Sequence, residues 1–534
     1  MNEVQYYKFQ VQASEDIGEA LTTERGANVI GIVGCGKTFI LGRYLKEQFD
    51  KGELSPIPGS MAPPVLYISL KPVVPQTKKV LERYFGLKAD RVLCLTYPEL
   101  RSKGYMSLFF EPETYYEGME EKVKYNWKPT LFPRLLVVDE PQALRNEGAN
   151  ITQLMMSLYR LSPQTKFINL GYTPFVKPSE AKWCTLTAGT RTVPGSTHPE
   201  TVLREEAWSR WLHKISGGSP NSLNASAVER VKRAWGKSYV LVKNVRFKHK
   251  VRNNQLIIPF ATSQHREMYD QAWADYLKEL DEAGRMPPGD QALQKAIALL
   301  KLQKRAELIR SSYLVHAAAM AQKEGKTPII AIKYHDTVSL VKVALRQYPE
   351  LQPSYIIGGQ TGAERQDNID RFQEGKTNFC VITIGAGGTG LSLHHNPDNK
   401  DISSPREVYM SPAFNAIDVA QTAGRAHRIN SISETNQYLL YFKDTVEEYV
   451  ASKLEKKLNC MSKLISKNET WGDFFVPQEK MGHGRNRGVD GGQLTSQGEE
   501  GLELDSGDFM DHDEKTTTKE LSFTPQPQLT ESVV

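Results

Sequence analysis

The sequence predicts an α/β protein: two parallel-sheet lobes joined by a helical connector and followed by a disordered acidic C-terminal tail. Short apolar runs of strand type alternate with helical periodicity, the pattern of parallel strands linked by crossover helices. These runs fall into two groups separated by a mostly helical stretch. The charge divides as well. The net is +5 over 534 residues, but residues 499–534 hold ten acids and two bases (−8), which leaves +13 on the remainder.

The first group of strand-like runs covers residues 27–33, 65–69, 92–95, 135–138 and 166–169; the second covers 328–333, 354–357, 379–384, 407–410 and 437–442. Residues 263–323 between them read as helix, broken near Pro287, Pro288 and Gly289. The expected organisation is a first lobe with a basic extension (1–255), a connector (256–324), a second lobe (325–470) and a tail (477–534) rich in Gly, Ser, Thr, Gln and Pro. A hydrophobic fraction of 40% supplies real cores and excludes wholesale disorder. Five widely spaced cysteines without a CxxC pair exclude a disulfide framework and the usual zinc modules. There is no apolar leader, and no apolar run of about 18 residues. A soluble intracellular protein with no membrane partner is expected.

Gly31-Ile-Val-Gly34-Cys-Gly36-Lys37-Thr38 satisfies GxxxxGK[ST] between a strand-like and a helical segment. Glycines there expose backbone N–H groups to phosphate, and a helix N-terminus adds positive potential. Lys37 is then placed for the β- and γ-phosphates, and the Thr38 hydroxyl for Mg²⁺. The bland alternative is a glycine turn with an incidental lysine. Leu135-Leu-Val-Val-Asp139-Glu140 reads as a buried strand ending in two acids, where active groups of open α/β sheets gather. Asp139 would hold Mg²⁺ directly or through water, and Glu140 would orient or deprotonate the attacking water. Solvated turn acids are the alternative.

Asp139-Glu140-Pro141-Gln142 resembles the DExx box of the superfamily 2 helicase-like ATPases. Its continuation to Asn146, Thr96-Tyr-Pro-Glu-Leu-Arg101 and Gly171-Tyr-Thr173-Pro174 resemble the Swi/Snf branch, that of chromatin remodellers and annealing helicases. So do Gly358-Gly-Gln-Thr361-Gly-Ala-Glu-Arg365 with Phe372, Gly385-Ala-Gly387-Gly388-Thr-Gly390, and Gln421-Thr-Ala-Gly-Arg425-Ala-His-Arg428, in order. Tyr7-Lys-Phe-Gln10 resembles the element whose glutamine reads adenine. The resemblance implies two RecA-like lobes with ATP and Mg²⁺ between them. It also implies nucleotide contacts from Gln10, Gly31, Gly34, Gly36, Lys37, Thr38 and Gln421, and coupling to nucleic acid through Thr173, Thr361, Gly387 and Gly388. Gln421, Arg425 and Arg428 stand at i, i+4 and i+7, so one helical face would present all three. Such a face is usually a solvated stripe. Opposite a P-loop it supplies an arginine finger, with Arg428 the first choice and Arg425 the second. Gln142 stands where the branch mostly has His, Asn430 where it has Gly, and Thr77 where it often has Trp.

GxGxxG at Gly385, Gly387 and Gly390 formally suits a dinucleotide site, but no acid ends a strand about twenty residues later. His394 and His395 lack further ligands at metal spacing and read as loop polar groups. Residues 230–252 hold nine Lys/Arg and no acid, interleaved with Trp235, Tyr239 and Phe247. Arg230, Lys232 and Arg233 would bind phosphates while the aromatics stack on bases, against the reading of a solvated strand pair with core aromatics. The expected activity is an ATP-dependent nucleic-acid motor. The resemblance puts duplex DNA ahead of RNA, with mostly backbone contacts and with remodelling, annealing or displacement of bound proteins as the outcome. The alternatives are an RNA-acting helicase of the same superfamily and a non-catalytic nucleic-acid-binding scaffold. The tail would serve protein partners or mimic DNA. Nuclear and cytoplasmic addresses stay open, and the His394–His395 segment also resembles viral helicases.

Overall fold

The computed structural model describes residues 5–192, 201–387, 392–395 and 404–465, with only the backbone of Glu117, Glu120, Ala386, Gly387 and Ile465. The expected tail and Gly388 lie outside the described residues.

The first lobe contributes strands β1 (Gly26–Ile30), β2 (Val65–Ser69), β3 (Val92–Thr96), a hairpin of β4 (Phe110–Glu117) and β5 (Glu120–Trp127), then β6 (Leu135–Asp139), β7 (Lys166–Gly171) and β8 (Tyr239–Leu241). Its main sheet is parallel throughout, in the order β3-β2-β6-β7-β1-β8. Every residue of β1, β2 and β6 is buried, which is why these strands read as continuous apolar runs rather than alternating ones. β1 and β6 both flank β7, so their carboxyl ends lie roughly 10 Å apart. That spacing brings the P-loop beside the acid pair.

The second lobe contributes β9 (Val251–Ile258), β10 (Thr327–Ile332), β11 (Pro353–Ile356), β12 (Phe379–Thr383), β13 (Arg406–Met410) and β14 (Thr435–Phe442), again all parallel, in the order β11-β12-β10-β13-β14-β9. The expected boundary at 255/256 needs correction. It cuts through β9, which pairs along its whole length with β14, from Val251 beside Thr435 to Ile258 beside Phe442. The connector is not a separate body either. Its helices, Ser263–Gly284 and Pro288–Lys323, break where Pro287 precedes the second one. Leu314, Val315, Ala318 and Ala319 of the longer helix share an apolar cluster with Ile330, Ile332 and Phe379 of the sheet. The last helix, Val446–Ile465, buries Leu454, Leu458, Met461 and Leu464 in a cluster that includes residues of both lobes. None of the five cysteines is in a disulfide. Among the described residues no helix is long and apolar enough to cross a membrane.

The second lobe encloses an ion pair without solvent contact. Arg310 Nη2 lies 2.9 Å from Glu447 Oε1, with side chains 0% and 1% exposed. Arg310 also donates to Ser411 Oγ (3.0 Å) and to the Leu440 carbonyl, and Glu447 accepts from the Phe442 N–H at 3.2 Å. One turn earlier, Glu307 accepts from the N–H groups of Lys333 and Tyr334 and from the Thr337 hydroxyl. Together these bonds join the long helix, the end of β10, β14 and the last helix. A buried pair adds little net stability when whole, but losing one partner strands a charge. Arg310→Met is expected to cost about 3–5 kcal/mol in urea unfolding, and adding Glu447→Leu should recover a large part of it. Equal losses in the single and double variants would show that the pair is not what matters.

Candidate active site

The strand β1 ends at Ile30, and the chain then turns through Gly34 (φ +82°) and Gly36 (φ +83°), left-handed conformations that favour glycine. Gly36 caps the helix Lys37–Asp50, so the loop's N–H groups and the helix N-terminus converge. Lys37 Nζ donates to the Gly31 carbonyl at 3.1 Å. Gln10 is buried against this loop. Its Nε2 donates to Cys35 O at 3.3 Å and its Oε1 accepts from Tyr7 N–H at 3.1 Å. A Cβ on Gly36 would come within 2.5 Å of Gln10 Nε2.

Asp139 closes β6 and is buried. Its Oδ2 accepts from the Tyr67 hydroxyl at 2.5 Å, and Tyr67 in turn lies 3.2 Å from Thr77 Oγ1. Thr77, which stands where the branch that the motifs resemble often has Trp, is thus part of the support for Asp139. Burial and the neighbouring Glu140 push the Asp139 carboxyl up to about 7, against the opposing pull of the Tyr67 hydrogen bond and Lys37. Glu140 has φ +60°, a left-handed backbone costly for a non-glycine residue. The Tyr97 hydroxyl donates to the carbonyls of Asp139 (3.2 Å) and Glu140 (3.4 Å) at this turn. Gln142, the departure from His, has its own role here: its Nε2 donates to Glu140 Oε2 at 2.7 Å.

The second lobe meets these groups directly. Gln421 Nε2 donates to the same Glu140 Oε2 at 2.8 Å, so the structure sets Gln421 on the acid rather than on the phosphate loop. A Cβ on Gly34 would lie 3.1 Å from Arg428 Cγ, and one on Gly424 only 2.5 Å from Val33 Cβ. Arg425 is buried, and burial lowers its pKa while Glu140 and Asp139 pull it back up and Arg365 pushes it down. Burial first and Arg425 second bring Arg428 down to about 9.

The expected helical face is corrected. The helix Ala416–Ala423 ends before Gly424, and both arginines lie beyond it in turn and irregular chain. They reach the cleft because the backbone turns at Gly424, where Val33 leaves no room for a side chain. Arg365, Tyr67 and Tyr97 join the site without having been assigned a part in it. Tyr67 reads in sequence as ordinary strand core, and Arg365 and Tyr97 are fixed positions of motifs that the chain resembles, without a part in the site assigned to them.

The remaining expected residues do not gather here. Thr173 is buried, its hydroxyl without a hydrogen-bond partner among the described residues. Thr361 is the N-cap of the helix Gly362–Gln373, in a capping box with Glu364. Gly387 ends a four-residue helix. Arg230 is spent on the C-terminus of the helix Trp208–Ser216, donating to the carbonyls of Ile215 (2.6 Å) and Ser216. Arg233 pairs with Glu229, and Lys232 donates to Lys463 O. Trp235 is core, bonded through Nε1 to Thr185, and Phe247 packs on His427. Residues 230–252 are therefore not one stacking face. His394 and His395 are buried, and no group of three or more candidate metal ligands occurs among the described residues.

Asp139 is neutral both folded and unfolded below pH 4, and charged at a cost in the fold above pH 7. It therefore withdraws stability as pH rises from about 4 to about 7, and the loss is complete above that. Asp139→Asn should raise the unfolding midpoint at pH 8 and leave it unchanged at pH 4. No gain at pH 8 would contradict the assigned burial cost.

Residues 309–430 match the family model described as the helicase conserved C-terminal domain. A protein of Acanthamoeba polyphaga mimivirus whose name describes an ATP-dependent RNA helicase is 26% identical over 222 residues, 41% of this chain and 38% of that protein. The human chromodomain-helicase-DNA-binding protein 1 is 30% identical over 129 residues (24% and 7%), and the Saccharomyces cerevisiae ATP-dependent helicase FUN30 is 31% identical over 96 (18% and 8%). The chain thus spans well under half the length of these relatives. A solved Sulfolobus solfataricus SWI2/SNF2 ATPase core in complex with dsDNA aligns over 88% of this chain and 94% of its own, at 14% identity and a TM-score of 0.34. The match to the helicase conserved C-terminal domain and the similarity to these helicases agree with the superfamily 2, Swi/Snf-like resemblance of the motifs.

Proposed function

We propose that the protein is an ATP-dependent nucleic-acid motor, a translocase whose ATPase is stimulated most by duplex DNA. The observation that carries this reading is the meeting of two half-sites across one cleft. The P-loop and acid pair come from the first lobe, and Gln421, Arg425 and Arg428 come from the second, with Gln421 on Glu140 at 2.8 Å and Arg428 against Gly34. A site completed only when two lobes meet couples hydrolysis to their relative motion.

The loop's backbone N–H groups and Lys37 would bind the β- and γ-phosphates, with Gln10 beside the base. A hard oxygen-ligand site formed by Thr38 and Asp139 suits Mg²⁺, which when bound neutralises charge on the phosphate oxygens. Glu140 would take the proton of the attacking water, while Gln142 and Gln421 hold its carboxylate in register. Arg428, with Arg425 behind it, would stabilise the charge that develops on the transferred phosphoryl group. The acid pair, the P-loop lysine and both arginines are all present, which speaks against a non-catalytic scaffold. The mimivirus relative's name favours RNA as the rival track.

ATPase should rise with duplex DNA and be abolished in Lys37→Ala. Arg428→Ala should lower turnover by roughly 10³–10⁵-fold with a much smaller change in nucleotide affinity. Stimulation by RNA above duplex DNA would reassign the track, and indifference to every nucleic acid would end the motor reading.

A further inference from the structure

Residues 242–250 carry the chain from β8 to β9, and so from one lobe to the other, as a strap fixed at both ends. The Val242 N–H donates to Ile30 O at 2.8 Å, and Lys250 O accepts from the Thr435 N–H at 3.1 Å. Its inner residues are apolar or aromatic: Val245 is buried, and the Phe247 ring sits 4.9 Å from that of His427 in the arginine element. Its outer residues are basic. Lys243, Arg246, Lys248 and Lys250 are exposed and make no ion pair among the described residues. At the first-lobe end Lys243, Asn244 and Arg246 line a cleft of about 540 Å³, with Tyr7 and Phe9 stacked at 5.5 Å in its wall. Asp16, the one acid of that lining, accepts from Gln12 at 2.9 Å.

A strip of exposed cations over an aromatic-walled cleft calls for an anionic chain with apolar side chains between its charges. The sequence contains one. Residues 499–514 hold eight acids and no Lys or Arg, interleaved with Leu502, Leu504, Phe509 and Met510. We propose that this segment of the same chain docks on the strap, its carboxylates on Lys243, Arg246, Lys248 and Lys250 and its apolar side chains in the cleft beside Tyr7 and Phe9. The 33 residues between Ile465 and Glu499 reach roughly 110 Å when extended, against a radius of gyration of about 23 Å for a compact body of this size. Tethering also gives the segment an effective concentration on the order of millimolar, an advantage that no free polyanion has. Since the strap is pinned at Ile30 of the first lobe and Thr435 of the second, with Val242 packed on Gly31 of the phosphate loop, an occupied strap would hinder lobe movement. The docking itself does not depend on the motor reading.

Zero-length carbodiimide cross-linking of the full chain at low salt tests the proposal, with products read from the monomer band. Carboxylates of residues 499–514 should join Lys243, Lys248 or Lys250 at least five-fold more often than other exposed lysines such as Lys278 and Lys376. Arg246→Glu removes no cross-linkable amine, yet it should cut that yield several-fold. Raising the salt to about 0.5 M should do the same. Even yields over all exposed lysines, or a yield indifferent to Arg246→Glu, overturn the proposal. If Arg246→Glu instead weakens binding of a 30-base-pair DNA duplex while cross-links stay evenly spread, the strap is a nucleic-acid surface and the docking proposal fails.

Discussion

The distance between the lobes is set by backbone that carries no side chain. Gly34 and Gly424 face Arg428 and Val33 at separations where a Cβ would lie 3.1 Å and 2.5 Å from its neighbour, and the second of these is closer than real Cβ contacts come. The arginine element can therefore rest on the P-loop, and this contact allows Gln421 to span from one lobe to the Glu140 carboxylate of the other. Everything else in the site is arranged around that approach. The helix before Gly424 must stop there, and the arginines must follow in irregular chain.

Such closeness has an electrostatic cost. Two arginines are buried beside each other, with Arg365 adding a third charge, and a buried carboxylate sits next to Glu140. Opposite charges across the cleft offset part of this, since Glu140 and Asp139 favour the charged form of Arg425. The balance is provided elsewhere, by fully buried parallel sheets and by polar groups such as Arg310, Glu447 and Glu307 that are bonded on several sides. Stability thus resides in the sheets and strain in the cleft, most plainly in the left-handed Glu140.

Much of the fold was readable because parallel strands buried on both faces leave unbroken apolar runs. All ten expected strands occur, and the helix break falls at Pro287. What escaped notice is polar or half-exposed: the hairpin β4–β5, the three-residue β8, and β9, whose eight residues are intermediate or exposed. β9 illustrates why. Its place is fixed by a partner some 180 residues later in sequence, and no local pattern carries that information. The P-loop and acid strand were legible because their chemistry demands fixed spacing. The arginine face was misjudged because helical periodicity was extended through a glycine whose neighbour, Val33, lies nearly four hundred residues earlier. The basic segment left two readings open for a related reason: composition counts charges but does not tell which of them cap helices, as Arg230 does.

The choice of glutamine at position 142 has a consequence for the acid it touches. Glu140 Oε2 receives two amide donors, Gln142 from its own lobe and Gln421 from the other. Amides hold a carboxylate in place without neutralising it, and they do not titrate. A histidine at position 142 would bring a charge change near pH 6.5 directly against this carboxylate. With glutamine there, Asp139 is left as the acid of the pair whose ionisation is brought near neutrality. Separation of the lobes would withdraw Gln421 and leave Gln142 in place. In the proposed motor the carboxylate would then lose one of these two amide donors as the cleft opens, which would tie its orientation to lobe geometry.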